Sequence, residues 1–321
     1  MRTSDVPPAV VINLPRNPER FAAVKASLKE AGVKYQRVDA VEGRQMTLAE
    51  RYENVTALGR LFMTPGMIGC YMSHRKCWQE TLKRGKGPLI VFEDDVELSP
   101  DFRDKLAEAM QSLPEDWDVC LIGALGAISP KYYHVNLGHA VLAGGLRWPK
   151  WLSPTLHVPM RPFGTHAYVV SERGAAKLLR CCARVNYHVD VVAWGLRSLK
   201  LFAIHPLLAK QTHADTTIGG LNDRSWMPEW VIDEYTGADF AWAWNAPLFK
   251  VLQGGGKGGI LLTAGRMTTV GLFGFLVAGL TGSKGALKLT LGYVAVVVTL
   301  VRMMCFQPVL PEAPPAPPLS A

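Results

Sequence analysis

The chain is poor in the features that assign a class at a glance. Its six cysteines, Cys70, Cys77, Cys120, Cys181, Cys182 and Cys305, form no CxxC pair and no zinc-type spacing, which excludes a zinc ribbon or a disulfide scaffold as the organising principle. Charged residues make up only 19% of the sequence against 49% hydrophobic ones, which excludes an intrinsically disordered protein. No recognisable nucleic-acid-binding motif accompanies the formal charge of +8, and the basic residues are spread along the chain, so no nucleic-acid partner is predicted. The opening MRTSDVPPAVVINL holds too short an apolar run for a signal peptide and reads as a strand. Late in the chain, neither uncharged stretch, 267–283 or 289–301, reaches the roughly 20 residues of a spanning helix.

What remains is informative. At 321 residues the chain is long enough for one large α/β domain with an appendage, or for two small domains. The positive charge suits anionic material, a phosphorylated substrate or a membrane surface. Cys70 and Cys77 stand seven apart, on one face of a helix and in the core, and unpaired thiols fit a cytosol-facing protein. Asn54-Val55-Thr56 matches a glycosylation sequon, read as chance without secretory entry.

Strand and helix patterns alternate to about residue 220, predicting a mainly parallel sheet with helices on both faces. Ala9–Leu14 is a compact apolar strand, and Asn17-Pro18-Glu19 opens a helix with proline in the first turn and an acid near the dipole. Val33–Val38 reads as a second strand. Thr64-Pro65 starts a helix carrying Tyr71, His74, Trp78 and Leu82 near one face. Ser99-Pro100-Asp101 opens another, and Trp117–Gly123 and Gly164–Val170 are further strands. Ser171 caps a helix to about Cys182, and a short helix near Val191–Leu196 precedes a strand at Leu199–Ile204. Residues 124–160 are rich in Gly, Pro, Trp and His without clear periodicity, a pattern that often covers a binding site.

The stretch PLIVFEDDVE, 88–97, carries the chemistry. A buried strand ends in Glu93, Asp94 and Asp95, and open α/β sheets bind ligands at that end of their strands. Strand alternation points Glu93 and Asp95 one way and Asp94 the other. Adjacent carboxylates repel unless a cation or donor groups offset them, and a hard divalent ion bound to substrate phosphates would do so. A solvated acidic turn is the alternative at this point.

VVINLPRNPER, TPGMIGCYMSH, PLIVFEDDVEL, DWDVCLIGA, FGTHAYVVSERGAAKLL, YHVDVV and IHPLLAKQTHADTTIG follow one another in order. Together they resemble glycosyltransferase family 25, which includes lipopolysaccharide and collagen galactosyltransferases, over about residues 9–220. The resemblance implies a GT-A-type fold, a UDP-hexose donor, a divalent metal such as Mn²⁺ and inversion at the sugar. Asp95 is then the main metal ligand, with Glu93 binding through water or reaching the donor ribose, and Asp94 bracing the loop. His213 is the candidate distal ligand, ahead of His205. Asn13, Arg16 and Arg20 follow the first strand and suit the donor base and diphosphate, arginine through its paired hydrogen bonds. Ser73 and His74 line the donor site or serve structure. Asp190 stands where the resemblance places an aspartate and is the expected acceptor base, or equally a helix N-cap.

The reading is therefore a metal-dependent, inverting hexosyltransferase acting on a hydroxyl of a glycan, a lipid-linked saccharide or a protein, in lipopolysaccharide biosynthesis or protein glycosylation. Alternatives are a nucleotidyltransferase, which VINLPRNPER disfavours for want of a glycine- and lysine-rich loop, and a silent scaffold that keeps the fold. Residues 1–225 form the expected catalytic domain and 226–258 an aromatic segment and Gly-rich linker. Residues 259–305 form a membrane-associated pair of apolar segments, with the catalytic domain on the cytoplasmic side, and 306–321 a Pro-rich tail.

Overall fold

The computed structural model describes residues 6–125, 144–145, 147–212, 247–251 and 261–305. Strand β1, Ala9–Asn13, is buried along its whole length, as its unbroken apolar run requires of a strand covered on both faces. It pairs in parallel with β2, Tyr35–Asp39, and with β3, Leu89–Glu93. Strand β8, Phe163–Val170, runs antiparallel between β3 and β5, Val119–Leu125. Strand β9, Leu201–Ile204, continues in parallel with β5. A hairpin of β6, Lys150–Ser153, and β7, Leu156–Val158, completes the eight-stranded order β2-β1-β3-β8-β5-β9-β7-β6. Six strands share one direction and only β7 and β8 oppose it, so the mainly parallel α/β architecture of a GT-A-type fold stands.

Alternate side chains of each strand enter different cores. Val10, Leu89, Val91, Leu121, Tyr168 and Val170 belong to one apolar cluster, and Ala9, Val11, Ile90, Phe92, Ile122 and Val169 to the other. Helices α4, Pro65–Arg84, and α6, Glu172–Cys181, cover the first face, together with the short α7, Val189–Ala193. Helices α1, Pro18–Glu30, and α5, Phe102–Ser112, cover the second. Period-2 patterning thus needs helices on both sides, which the alternating sequence supplies.

Local chemistry explains the helix that matters most. The Thr64 hydroxyl accepts the Met67 N–H at 3.1 Å and Pro65 occupies the first turn, so α4 starts where the residues predict. Its face carries the buried Tyr71, His74, Cys77 and Trp78, but Leu82 is exposed. A Cβ on Gly69 would lie 2.4 Å from the Val41 carbonyl, so glycine lets the chain after β2 cross the helix in backbone contact.

Several expectations change. Helices α2, Leu48–Asn54, and α3, Ala57–Phe62, were not legible as separate elements. The 124–160 region is not structureless throughout, since it contains β6 and β7. The end of the linker is packed: β11, Pro247–Lys250, pairs with β12, Leu261–Thr263, and Phe249 buries its ring 5.6 Å from that of Phe62. The apolar appendage forms two helices, α8, Ala264–Thr281, and α9, Lys284–Cys305, of 18 and 22 residues. Both are long and apolar enough to cross a membrane. The uncharged stretches looked too short because terminal turns bearing Arg266, Lys284, Lys288 and Arg302 continue the helices, and long basic side chains can snorkel. Gly282, at φ +63°, closes α8 and reverses the chain.

Among the described residues, Asp118 is a buried ionic hub. Fully buried at the start of β5, it accepts from Arg173 Nε at 2.8 Å, Lys177 Nζ at 2.7 Å and the Lys200 N–H at 2.8 Å. An Asp118→Ala change leaves the Lys200 amide unpaired while Arg173 and Lys177, both partly exposed, regain water. We expect a loss of about 2 kcal/mol in denaturant unfolding, and a midpoint unchanged in the variant would refute this role.

Candidate functional site

The parallel strands β1 and β3 end together, with Ile12 opposite Glu93. Asn13, the last residue of β1, therefore meets the residues after β3: its Nδ2 donates to Asp94 Oδ2 at 2.6 Å and to the Asn17 carbonyl at 2.9 Å. In the first turn of α1, Arg20 reaches both acids through Nη2, 2.6 Å from Asp94 Oδ1 and 3.0 Å from Asp95 Oδ2. Because β3 stops at Glu93 and the chain turns before β4, Val96–Leu98, strand alternation does not extend to Asp94 and Asp95. The division of the three acids differs accordingly. Asp94 and Asp95 share one guanidinium, and Glu93 turns to a separate network.

That network runs through the core. Trp78 Nε1 donates to Tyr168 Oη at 2.9 Å, Tyr168 Oη lies 3.0 Å from His74 Nδ1, and His74 Nε2 lies 3.3 Å from Glu93 Oε1. Thr165 Oγ1 donates to the same Glu93 oxygen at 2.7 Å. Every group is satisfied when Tyr168 donates to Nδ1 and the Nε2–H donates to Glu93. Burial raises the Glu93 carboxyl, but the His74 and Thr165 hydrogen bonds outweigh it and hold the group well below the usual carboxylate range. Burial, and then the charge of Glu93, push Asp95 the other way. Asp94 is also raised by burial, against the pull of Asn13 and Arg20.

The reversal of β8 brings its first residues to this edge. Gly164, at φ +81°, turns its N–H to Asp190 Oδ2 at 2.8 Å and its carbonyl to Trp194 Nε1 at 2.8 Å. Thr165 follows and holds Glu93, so the dipeptide ties Asp190 and Glu93 into one site. His188, not Asp190, is the N-cap of α7, and Asp190 sits in the first turn, where its Oδ1 accepts the Val191 N–H at 2.7 Å. Burial, and then Glu93, Asp190 and Asp95, push the Cys70 thiol well above its ordinary value.

The chain leaving β9 returns through β10, Ala209–Gln211, which pairs antiparallel with β4. Gln211 Nε2 donates to Asp95 Oδ2 at 3.0 Å, and the Thr212 N–H and hydroxyl both donate to the Asp95 carbonyl, at 2.6 and 2.9 Å. His213 lies outside the described residues, next in sequence to this bonded Thr212. His205 instead packs its ring 5.3 Å from that of Trp151.

Asn13, Arg20, His74, Glu93, Asp94, Asp95 and Asp190 thus belong to one strand-end site. Arg16 does not join it, since it pairs with Glu42 at 3.0 Å and is half exposed. Ser73 is buried and occupied elsewhere, accepting the Val41 N–H at 2.8 Å and donating to the Gly69 carbonyl at 2.7 Å. Thr165, Tyr168 and Gln211 were missed as site residues. Thr165 and Tyr168 lie in FGTHAYVV and Gln211 in the QTHAD segment, but their roles depend on pairings across the sheet.

For a hard divalent ion, the fit rests on Asp95. Its Oδ1 is buried without a hydrogen-bond partner among the described residues, and a carboxylate oxygen is the kind of donor such ions prefer.

An open, mainly parallel sheet with clustered acids at its strand ends is an α/β architecture consistent with a GT-A-type fold. The family model described as glycosyltransferase family 25 (LPS biosynthesis protein) matches residues 6–193, more than half of the sequence. The chain belongs to that family. It is 30% identical over 250 residues to inactive glycosyltransferase 25 family member 3 of Mus musculus, covering 68% of this chain and 39% of that protein. It is 26% identical over 249 residues to procollagen galactosyltransferase 2 of Homo sapiens, covering 68% and 37%. The chain therefore spans about two-fifths of the length of the curated relatives it matches. Among solved structures, the crystal structure of A197 from STIV is 13% identical with a TM-score of 0.35, covering 65% of this chain and 87% of that one, a likeness too distant to carry an argument.

Proposed function

We propose that the chain is a metal-dependent, inverting glycosyltransferase that moves a hexose, with galactose from UDP as the favoured donor, to a hydroxyl of a glycan, lipid-linked saccharide or protein. The observation that carries this reading is the joining of the three strand-end acids to Arg20 on one side and to Asp190, through Gly164–Thr165, on the other.

Each group has a task. Asn13 orients Asp94, and Arg20 supplies a planar cation for the donor diphosphate beside the acids it bridges. Glu93, held ionised and oriented by His74 and Thr165, is available to the donor ribose. Asp190, oriented by two backbone N–H groups, is a carboxylate base for the acceptor hydroxyl. Asp95 foremost, with His213, would hold Mn²⁺, which when bound offsets the charge gathered by the leaving diphosphate; Glu93, turned to His74 and Thr165, stands apart from that ion.

A second reading has a specific support: a relative at 30% identity is named an inactive member of the family. On that reading the site binds a nucleotide sugar without transferring it. A screen of UDP-sugars with the full chain, with and without Mn²⁺, separates the two. Metal-dependent release of UDP supports transfer, and donor binding without any release favours the silent protein.

The two apolar helices support membrane association, and the cytoplasmic placement of the catalytic domain rests on the unpaired thiols alone. Phe273 and Leu276 of α8 are 66% and 56% exposed, and a hydrocarbon surround removes that apolar area from water. Deleting the hairpin would be a poor test, because Met267, Val301 and Met304 belong to the main core and Asn186 Nδ2 donates to the Met304 carbonyl. Replacing Phe273 and Leu276 with aspartate instead places two acids on the lipid face, at about 2.5–3.5 kcal/mol each by insertion scales. The fraction floating with vesicles should fall sharply, and unchanged flotation would refute the membrane reading.

A further inference from the structure

At the floor of the site, Cys70 and His74 stand four residues apart on α4, on one face of the helix. Strand β3 delivers Glu93 against that face. The Cys70 Sγ, a His74 ring nitrogen and a Glu93 oxygen all lie within 4.8 Å of one another, and Nε2 and Oε1 are already 3.3 Å apart. Tetrahedral zinc, about 2.3 Å from sulfur and about 2.0 Å from nitrogen or oxygen, holds its ligand atoms roughly 3.3–3.6 Å apart. Nε2 and Oε1 already stand at that spacing, so the adjustment left is for the Cys70 Sγ to close from within 4.8 Å.

The groups that orient metal ligands from behind are also present. Tyr168 Oη faces His74 Nδ1 at 3.0 Å, and Thr165 holds Glu93 Oε1 at 2.7 Å.

We propose that Cys70, His74 and Glu93 form a second cation site, separate from Asp95, that takes a thiophilic divalent ion such as zinc. The donor sets discriminate between ions: sulfur and imidazole favour zinc, whereas the carboxylate oxygens of Asp95 favour manganese or magnesium. On binding, the Cys70 thiol gives its proton to solvent and the thiolate sulfur bonds the metal. The His74 proton moves to Nδ1, facing Tyr168, and leaves Nε2 as the ligand. With three protein ligands the ion keeps a fourth position open to water, as catalytic zinc sites do.

Titration of the full chain with Co²⁺ under a non-thiol reductant tests this, read by the near-ultraviolet thiolate-to-cobalt charge-transfer absorption. The band should saturate with a single equivalent and disappear on adding Zn²⁺. It should be lost in Cys70→Ser and Cys70→Ala, and persist in Asp95→Ala and Cys181→Ser. Absence of the band from the unmodified chain overturns the proposal whatever the variants do. So does a band that survives both Cys70 changes, or one that vanishes with Asp95→Ala. The readout needs no sugar donor, so it succeeds or fails independently of the transfer reading.

Discussion

An Asp95→Ala variant is expected to lose Mn²⁺-dependent release of UDP by about a thousandfold in kcat/KM, a loss of several kcal/mol of transition-state stabilisation. The expectation follows from the position of this carboxylate. Its Oδ2 is taken by Arg20 and Gln211, its backbone carbonyl by Thr212, and its Oδ1 is buried with no partner among the described residues. A buried acceptor left unpaired is costly unless a cation completes it. Alanine removes the ligand and also one of the two carboxylates that fix Arg20. An Asp95→Asn variant separates these effects, because it keeps the side-chain volume and an oxygen for Gln211 while removing the charge. Both variants should bind Mn²⁺ more weakly by calorimetry or by its paramagnetic resonance signal. Full activity in Asp95→Ala would end the metal assignment, and unaltered Mn²⁺ binding would do so without any assay of transfer.

Asp190→Asn is the second large effect. The substitution preserves shape and leaves an oxygen able to accept from Gly164 or Val191, so α7 should stay docked on β8. What it removes is proton acceptance from the sugar hydroxyl, worth about 10²- to 10⁴-fold in general-base catalysis. The loss should appear in kcat, with donor affinity unchanged, because Asp190 is assigned to the acceptor step and Arg20 to the diphosphate. A fall of less than about tenfold would remove Asp190 from that role. Weakened donor binding with normal kcat would instead move it to the donor side.

Much of this site could be read from residues in order, because its pieces are local. Thr64-Pro65 starts α4 through a side-chain cap and a fixed φ, and both act within one turn. The apolar runs of β1 and β3 announce strands buried on both faces, and the end of such strands is where Asn13 and the three acids stand. Arg20 lies in the first turn of α1, seven residues past the end of β1, close enough in sequence to be placed beside the strand end. Cys70 and His74 share a helix face by the same 3.6-residue arithmetic.

The partners of those residues were a different matter. Alternation could divide Glu93, Asp94 and Asp95 only if the strand continued, and whether a strand continues past an acid depends on what pairs with it. Asp94 and Asp95 turn out of the sheet and share Arg20, while Arg16, equally suited by type, goes to Glu42. Thr165 meets Glu93 only because β8 runs against its neighbours, a reversal that no residue in FGTHAYVV encodes alone. Gln211 reaches Asp95 because β10 folds back on β4. Dihedral preferences and caps act over a few bonds and are written in neighbouring residues. Hydrogen bonds between residues 72 to 116 positions apart follow from how strands are ordered in the sheet, a property of the whole core. The sequence alone therefore determined the elements and the chemical types at the strand ends; the assembled sheet decided which acid answers to which cation, helix and loop.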